Sequence, residues 1–159
     1  MSVRELGTAI CSSLIKTLKP YGFTRKGARF SRDNAQYCEH FAVSGSRWNS
    51  GEAPWEFSVD VGVFFHEIPA REGAKGLWRY SHAVGSTNSI LAGSPTAFFV
   101  TPDNVESVAS DVAKIILATS EQLPGIVGPA CQRAHDGWAS FLPVPASWSV
   151  GEACPSNAD

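Results

Sequence analysis

The residues with the clearest chemical potential are four cationic side chains in one short segment. They are Arg25, Lys26, Arg29 and Arg32. No acidic residue interrupts the chain between Glu5 and Asp33, and guanidinium groups bind carboxylates and phosphates through two parallel hydrogen bonds. The segment therefore predicts a contact with an acidic protein or with phosphate. The alternative interpretation is a solvated sheet face whose cations pair with Glu39, Glu56 or Asp60.

Two further segments combine aromatic, basic and polar side chains. One is Ser46-Arg47-Trp48-Asn49, inside a polar stretch over residues 44–54, and the other is Trp78-Arg79-Tyr80. Tryptophan, tyrosine and arginine carry much of the energy of protein interfaces. We predict these partner-binding residues: Arg25, Arg29, Ser46, Arg47, Trp48, Asn49, Trp78 and Arg79. For Trp55 and Trp78 the alternative is a place at the edge of the core.

The histidines do not form a recognisable catalytic group. They are His40, His66, His82 and His135. His66 and Glu67 are adjacent, but neighbouring strand residues point to opposite faces. Cys131 and His135 lie four apart, yet no second ligand pair accompanies them. We therefore predict no catalytic residue, no metal site and no cofactor. The alternative is an enzyme that uses His66 or His82, in a site between the sheet and residues 67–94.

Length and composition predict one domain. A chain of 159 residues with 43% hydrophobic and 18% charged content can bury its own core. The net charge of -2 disfavours nucleic acid and anionic lipid as partners. Charged residues interrupt positions 1–20, so we expect no signal peptide, and no apolar run is long enough to span a bilayer. The four cysteines (Cys11, Cys38, Cys131 and Cys154) lack metal-ligand spacing. Together these features predict a cytoplasmic protein with reduced thiols.

The first half of the chain predicts a helix followed by antiparallel strands. Ser2 and Glu5 are spaced as a capping box, and leucine and isoleucine then recur at helical spacing up to Pro20. Strands are predicted at 24–32 and 36–44, with a turn at Asp33-Asn34. This turn places Phe30 opposite Tyr37. It also puts three residues on one face of the sheet: Arg25, Arg29 and Ser31. Residues 55–65 alternate strictly between apolar and mostly polar side chains, which is typical of an antiparallel strand.

The second half predicts a short strand at 97–100 and a long helix. Thr101-Pro102 has the composition of a helix start, and Leu123-Pro124-Gly125 that of its end. A short last helix is predicted within 126–142. The sum is an α+β fold: an N-terminal helix, an antiparallel sheet of about four to five strands, and a long C-terminal helix on one face of the sheet. We expect one domain over 1–142 and a loosely ordered tail over 143–159.

Several short motifs in residues 5–125 match a known pattern. They are Gly22-Phe23, Arg25-Lys26-Gly27 with Phe30, Ser46 and Asn49 in the loop, the run from Phe57 to Val63, and a closing Leu123-Pro124. In order and spacing they resemble the bacterial domain of unknown function 4304 family. The chain departs from the family at Ser44, where members often carry glutamine. The family has no agreed activity, so the resemblance implies a fold and supplies no catalytic residues.

From these observations we predict a small cytoplasmic domain that binds a protein partner without catalysis. Immunity proteins, which neutralise toxins, are one analogy at the level of fold. Two alternatives stay open: a small-molecule-binding or hydrolytic enzyme, and a phosphate or nucleic-acid binder that uses residues 25–32. The sequence leaves the partner's identity and the oligomeric state open.

Overall fold

The N-terminal helix begins as its capping sequence predicts. In the computed structural model, which describes residues 1–149, helix α1 spans Val3–Leu18. The backbone N–H of Glu5 donates to Ser2 Oγ at 3.2 Å, and the Glu5 carboxylate accepts from the Ser2 backbone at 2.6 Å. A 3-10 turn over Lys19–Tyr21 follows, and it ends at Gly22, whose φ of 94° has no steric penalty for glycine.

The second layer is one sheet, which has seven strands in the described chain. They are β1 (Thr24–Lys26), β2 (Arg29–Asp33), β3 (Tyr37–Gly45), β4 (Trp55–Phe65), β5 (Ala83–Ser86), β6 (Phe98–Val100) and β7 (Ser140–Leu142). Their order is β1-β2-β3-β4-β5-β7, and β6 pairs with β4. All pairs are antiparallel except β5 with β7. The α+β class is therefore confirmed, with more strands than the four or five predicted and one parallel pair.

The basic segment is a hairpin of its own, and the prediction of one strand over 24–32 is wrong. Gly27 has a φ of 62° and reverses the chain between β1 and β2. Arg25 lies opposite Phe30 as a result, and Lys26 lies opposite Arg29. Directly paired residues share a face of the sheet. Arg25 and Arg29 therefore lie on opposite faces, contrary to the prediction.

The turn between β2 and β3 also differs from the prediction. It lies at Ala35-Gln36, because the Asn34 side chain accepts hydrogen bonds from two backbone amides of the turn at 2.9 and 3.0 Å. Phe30 consequently pairs with Phe41 and not with Tyr37.

Strand β4 has the alternation that its sequence predicts. Its core-facing residues are all buried: Trp55, Phe57, Val59, Val61, Val63 and Phe65. They pack with the apolar sides of α1 and the C-terminal helix in one core. The intervening residues point to the other side of the sheet, which we call the open face.

The C-terminal helix α3 begins and ends later than predicted, at Val105–His135. Thr101 is not its N-cap; the Thr101 N–H donates to the side chain of Asn104 at 2.7 Å, in a turn before the helix. Pro124 and Pro129 lie inside the helix. The predicted end at Pro124 and the separate short helix within 126–142 are therefore wrong. Burial of apolar side chains beyond the first proline, among them Val127, offsets the hydrogen bonds that the prolines remove.

The remaining elements are short. Residues 67–94 contain a 3-10 helix (Gly76–Tyr80), β5 and helix α2 (Thr87–Ile90), and β6 confirms the strand predicted at 97–100. Helix α4 (Ala146–Ser149) falls within the predicted tail, of which the part from residue 150 onward, including Cys154, lies outside the described residues. Among the described helices, none combines the length and the apolar character needed to cross a bilayer.

Candidate partner-binding site

The open face is covered in part by the 3-10 helix Gly76–Tyr80. Gly62 of β4 permits this close approach. A Cβ at Gly62 would overlap the Ser81 hydroxyl and would lie 3.1 Å from Leu77 Cγ. The absence of a side chain at one strand position therefore places Arg79 and Tyr80 next to β2 and β3.

Tyr80 brings cationic residues from two segments together. The guanidinium of Arg29 lies 3.5 Å from the centroid of the Tyr80 ring, and that of Arg79 lies 5.7 Å from it. A hydrogen bond from Arg29 lowers the pKa of Tyr80, and the charges of Arg29, Arg79 and Lys26 act in the same direction. These residues line a groove of about 350 Å³ on the open face. Two of the predicted partner-binding residues, Arg29 and Arg79, thus meet in one place.

The three cations of this groove lack acidic partners. Within residues 1–149, the ion pairs with N–O distances of 4.0 Å or less are Arg32–Glu39 and His66–Asp33. The alternative in which the basic segment pairs with nearby acids therefore holds for Arg32 alone.

The floor of the groove is polar. Ser44 donates to the Asp60 carboxylate at 3.1 Å, and burial raises the pKa of Asp60. His40 lies beneath the Tyr80 ring, with 6.1 Å between the ring centroids, and its Nδ1 is 2.6 Å from Ser31 Oγ. Burial, with a smaller contribution from the Arg29 charge, lowers the pKa of His40 to about 4. The floor is thus largely uncharged around His40, while the rim is cationic.

The other two cations of the basic segment face the helices. Arg25 donates to the Ser12 hydroxyl of α1 at 3.3 Å and to the Gly27 carbonyl at 2.7 Å. Arg32 pairs with the buried Glu39. Because Gly27 turns the chain, the segment does not form one continuous basic surface. Because of this division, a phosphate group or a nucleic acid cannot contact all four cations of residues 25–32 on one face.

The loop between β3 and β4 holds two exposed residues in place. Asn49 clamps the backbone of Glu56: its side-chain amide donates to the Glu56 carbonyl, and its carbonyl accepts from the Glu56 N–H, both at 2.8 Å. Ser46 Oγ accepts from the Trp48 backbone at 3.1 Å. Trp48 is 76% exposed, and the Arg47 guanidinium lies 4.7 Å from its ring. Ser46 and Asn49 thus position the loop, while Arg47 and Trp48 are displayed.

Trp78 lies outside the groove. Its ring meets Phe141 of β7 edge-on at 6.5 Å, and Phe141 stacks on Trp148 at 5.5 Å. Trp78 is half-buried in this aromatic cluster near the β7 edge, which is intermediate between the core and surface interpretations. Trp55, by contrast, is only 8% exposed and belongs to the core.

The histidines of the enzyme hypothesis have defined neighbours. Both ring nitrogens of the buried His82 contact backbone: Nδ1 accepts from the Phe65 N–H, and Nε2 lies 2.9 Å from the Pro69 carbonyl. Burial lowers its pKa. A cavity of about 290 Å³ lies beside His82. His66 Nε2 is 2.6 Å from the exposed carboxylate of Asp33. His82 therefore has a structural role, with no ring nitrogen left for proton transfer.

A larger cavity lies at the end of the sheet next to α3. It measures about 350 Å³, and Tyr37, Phe65, Cys131 and His135 are among its lining residues. No group of three or more metal-ligating side chains occurs within residues 1–149. Cys11 and Cys38 are free thiols, and burial raises the pKa of both, that of Cys38 to about 11. Neither is an activated nucleophile.

The sequence reasoning missed two contributors to the groove. Lys26 was part of the basic segment but was not selected, and Tyr80 was named only as a neighbour of Arg79. The signal for Lys26 was Gly27, since a glycine inside a strand pattern suggests an irregularity such as a bulge, and a bulge changes which residues share a face. Tyr80 had no signal, because its partner Arg29 is distant in sequence and meets it only through the close approach at Gly62.

The fold and the groove together define an α+β domain in which two long helices cover one face of a mainly antiparallel sheet, and the other face carries a cationic groove. Residues 14–91 match the model of the family described as Domain of unknown function (DUF4304), and this match supports the resemblance that the motifs predicted. The match includes the groove cations and the Trp48 loop. Comparison with curated proteins and with solved structures gave no match.

Proposed function

We propose that this domain is a non-catalytic protein-binding module that contacts its partner with the open face of the sheet and the Arg47–Trp48 loop. The observation that carries the proposal is the group of three unpaired cations around Tyr80. Charged side chains that have no ion-pair partner within 4.0 Å favour a partner of opposite charge. The exposed Trp48 adds the type of aromatic residue that dominates interface energies.

Preorganisation of this surface supports the same proposal. Asn49 fixes the loop through two 2.8 Å hydrogen bonds, and Tyr80 fixes Arg29 by stacking. Groups that are ordered before binding lose less conformational entropy on association. A cytoplasmic location belongs to the same proposal and agrees with free thiols at Cys11 and Cys38. Immunity proteins bind toxins in this non-catalytic manner, so an acidic toxin domain is a partner to test first.

The experiment has two stages. First, affinity capture from the protein's own cells, followed by mass spectrometry, identifies the proteins that co-purify with it. Each of these proteins is then purified and titrated against the domain. A true partner raises the melting temperature, because it binds the folded state alone; at a concentration of 100 times Kd the stabilisation is about 2.7 kcal/mol.

Variants then locate the surface. We expect Arg29→Glu and Trp48→Ala to weaken the binding of the partner. Lys114→Glu reverses an exposed charge on α3, and Trp138→Ala removes an exposed tryptophan elsewhere, so both controls should bind like the wild type. Unchanged affinity in both Arg29→Glu and Trp48→Ala would reject this surface. Binding that falls steeply with salt and requires nucleic acid would support the phosphate hypothesis instead.

A further inference from the structure

The groove around Tyr80 has the chemistry of a carboxylate site. We infer that it binds carboxylate side chains of an acidic segment on the partner protein, with Arg29 and Arg79 as the hydrogen-bond donors and Lys26 at the rim. The inference rests on the proposed function, because it names what that surface recognises. A volume of about 350 Å³ is enough for one or two side chains of such a segment.

The position of Arg29 is the first argument. A guanidinium stacked on an aromatic ring keeps the in-plane N–H groups that do not bond to Tyr80 available for contact with a carboxylate. Arg29 Nε is buried and has no hydrogen-bond partner in the described chain. An unsatisfied buried donor destabilises the unbound state by about 1–3 kcal/mol. A carboxylate in the groove would satisfy this donor once a shift of the Arg29 side chain exposes it.

The distribution of acidic residues selects a short acidic segment over a nucleic acid. Asp33, Glu56 and Asp60 share the open face with Arg29 and would repel an extended polyanion. The helix-facing Arg25 is unavailable to it. One or two carboxylates, in contrast, can contact the groove cations and meet only one of these acids, Asp60, which lies in the groove floor and accepts a hydrogen bond from Ser44.

One end of the groove is close in sequence to the β3–β4 loop. Ser44 lines the groove, and the β3–β4 loop begins two residues later at Ser46. A peptide whose carboxylate lies on Arg29 can therefore extend toward Arg47 and Trp48. The groove and the Arg47–Trp48 loop would then bind one continuous segment that contains acidic and apolar residues.

The test uses a defined probe and does not need the partner. A blocked peptide rich in glutamate is titrated into the whole protein while the Nε–Hε resonances of Arg29 and Arg79 are followed by NMR. The matched peptide with glutamine in place of glutamate and inorganic phosphate form the other two arms. The variants are Arg29→Gln and Arg79→Gln, and Lys114→Gln on α3 is the control.

We expect the glutamate peptide to shift both arginine resonances and the glutamine peptide to shift neither. Loss of one charge-assisted bidentate contact should lower the affinity for the glutamate peptide roughly tenfold in each groove variant. The affinity of the control variant should not change. Arg79 is exposed, so Arg79→Gln remains informative if Arg29→Gln fails to fold.

Three results would overturn the inference: no shift with the glutamate peptide, equal binding of the glutamine peptide, or phosphate binding as tight as that of the glutamate peptide. Its failure can be distinguished from that of the proposed function. If the peptide binds the groove but a verified partner is indifferent to Arg29→Glu and Trp48→Ala, the proposed surface is wrong and the carboxylate site stands. If the partner depends on both residues and the peptide does not bind, the reverse holds.

Discussion

Arg32 of β2 and Glu39 of β3 form an ion pair on the helix-facing side of the sheet, with 3.3 Å between Arg32 Nη2 and Glu39 Oε1. Ser120 of α3 donates to the same carboxylate oxygen, and Arg32 Nη1 donates to the Tyr21 carbonyl at 2.9 Å. One polar cluster therefore joins the sheet, the end of α1 and α3. Burial raises the pKa of Glu39, and the contacts with Ser120 and Arg32 partly oppose this effect.

Removal of Arg32 should destabilise the fold in a pH-dependent way. At neutral pH, Arg32→Ala leaves the carboxylate of Glu39 buried without its cation, and we expect a loss of about 3 kcal/mol in the free energy of unfolding. The pKa of Glu39 is higher in the folded state than in the unfolded state. The contribution of Glu39 to stability therefore falls as pH rises from the unfolded-state pKa to the folded-state pKa. Loss of Arg32 raises the folded-state pKa further. The deficit should therefore be largest at neutral pH and shrink toward acid, as measured by urea denaturation over that range.

The matched control is Arg25→Ala, which also removes a helix-facing guanidinium. Within residues 1–149, Arg25 bonds to a hydroxyl and a backbone carbonyl, and its removal leaves no buried charge behind. We expect a loss of about 1 kcal/mol, independent of the state of Glu39. Equal losses in the two variants, or an Arg32→Ala deficit that does not change with pH, would contradict the role of the ion pair.

His40 should make the protein sensitive to mild acid. Its pKa is about 4 in the folded state, below the usual value of 6.5, because burial disfavours the imidazolium. The folded state binds fewer protons, so stability present above pH 6.5 is lost as pH falls toward 4. The difference between the two pKa values corresponds to about 3 kcal/mol in the free energy of unfolding.

His40→Gln should flatten this part of the stability profile, since glutamine does not titrate and can still bond to Ser31. Chemical denaturation at a series of pH values measures the slope, and His135→Gln, at an exposed position of α3, controls for the substitution itself. An unchanged acid slope in His40→Gln would exclude His40 as its source.

Local patterns in the sequence were sufficient to predict most of the fold. The capping box of α1 and the strict alternation of β4 each depend on neighbouring residues, and both appear as expected. The end of α3 was mispredicted because Pro124 is a strong local stop signal. Burial of the following turns against the core overrides it, and such tertiary packing is not visible in a local pattern.

The candidate site was harder to predict because it depends on register. Arg25 and Arg29 are four residues apart, and one turn at Gly27 sends them to opposite faces of the sheet. The meeting of Arg29 with Tyr80 depends on contact between segments about fifty residues apart. Residue types therefore indicated which side chains are typical of binding sites, whereas only the fold shows which of them lie close together.

The clamp by Asn49 should control the order of the loop that carries Arg47 and Trp48. Asn49→Ala removes two hydrogen bonds to Glu56, so we expect a loss of about 1–3 kcal/mol in stability, together with faster proteolysis within residues 46–54. Asn49→Asp keeps the acceptor for the Glu56 N–H but places a carboxylate oxygen against the Glu56 carbonyl, so it should not restore the stability of the wild type. Ser46→Ala, which removes one exposed contact, is the mild control. Protection of the loop in Asn49→Ala equal to that of the wild type would show that the clamp is dispensable.

Gly62 should be the position at which backbone substitution most directly disturbs the groove. In Gly62→Ala the new methyl group overlaps the Ser81 hydroxyl, so the segment that carries Arg79 and Tyr80 must shift away from the sheet. We expect a loss of about 1–3 kcal/mol and, by NMR, a changed environment at Arg29. Gly125→Ala is the matched control, because its Cβ meets no other atom and alanine favours a helix by about 1 kcal/mol.

Ser81→Ala tests whether overlap with the Ser81 hydroxyl causes the loss of stability in Gly62→Ala. The Ser81 hydroxyl is buried and lacks a hydrogen-bond partner in the described chain, so its removal alone should be neutral or slightly stabilising. Combined with Gly62→Ala, it removes the most severe overlap and leaves a tight contact with Cβ at 2.9 Å. The double variant should therefore recover part of the lost stability and part of the wild-type Arg29 resonance. If Gly62→Ala is as stable as the wild type, or if the two substitutions prove strictly additive, close approach at Gly62 does not position the groove.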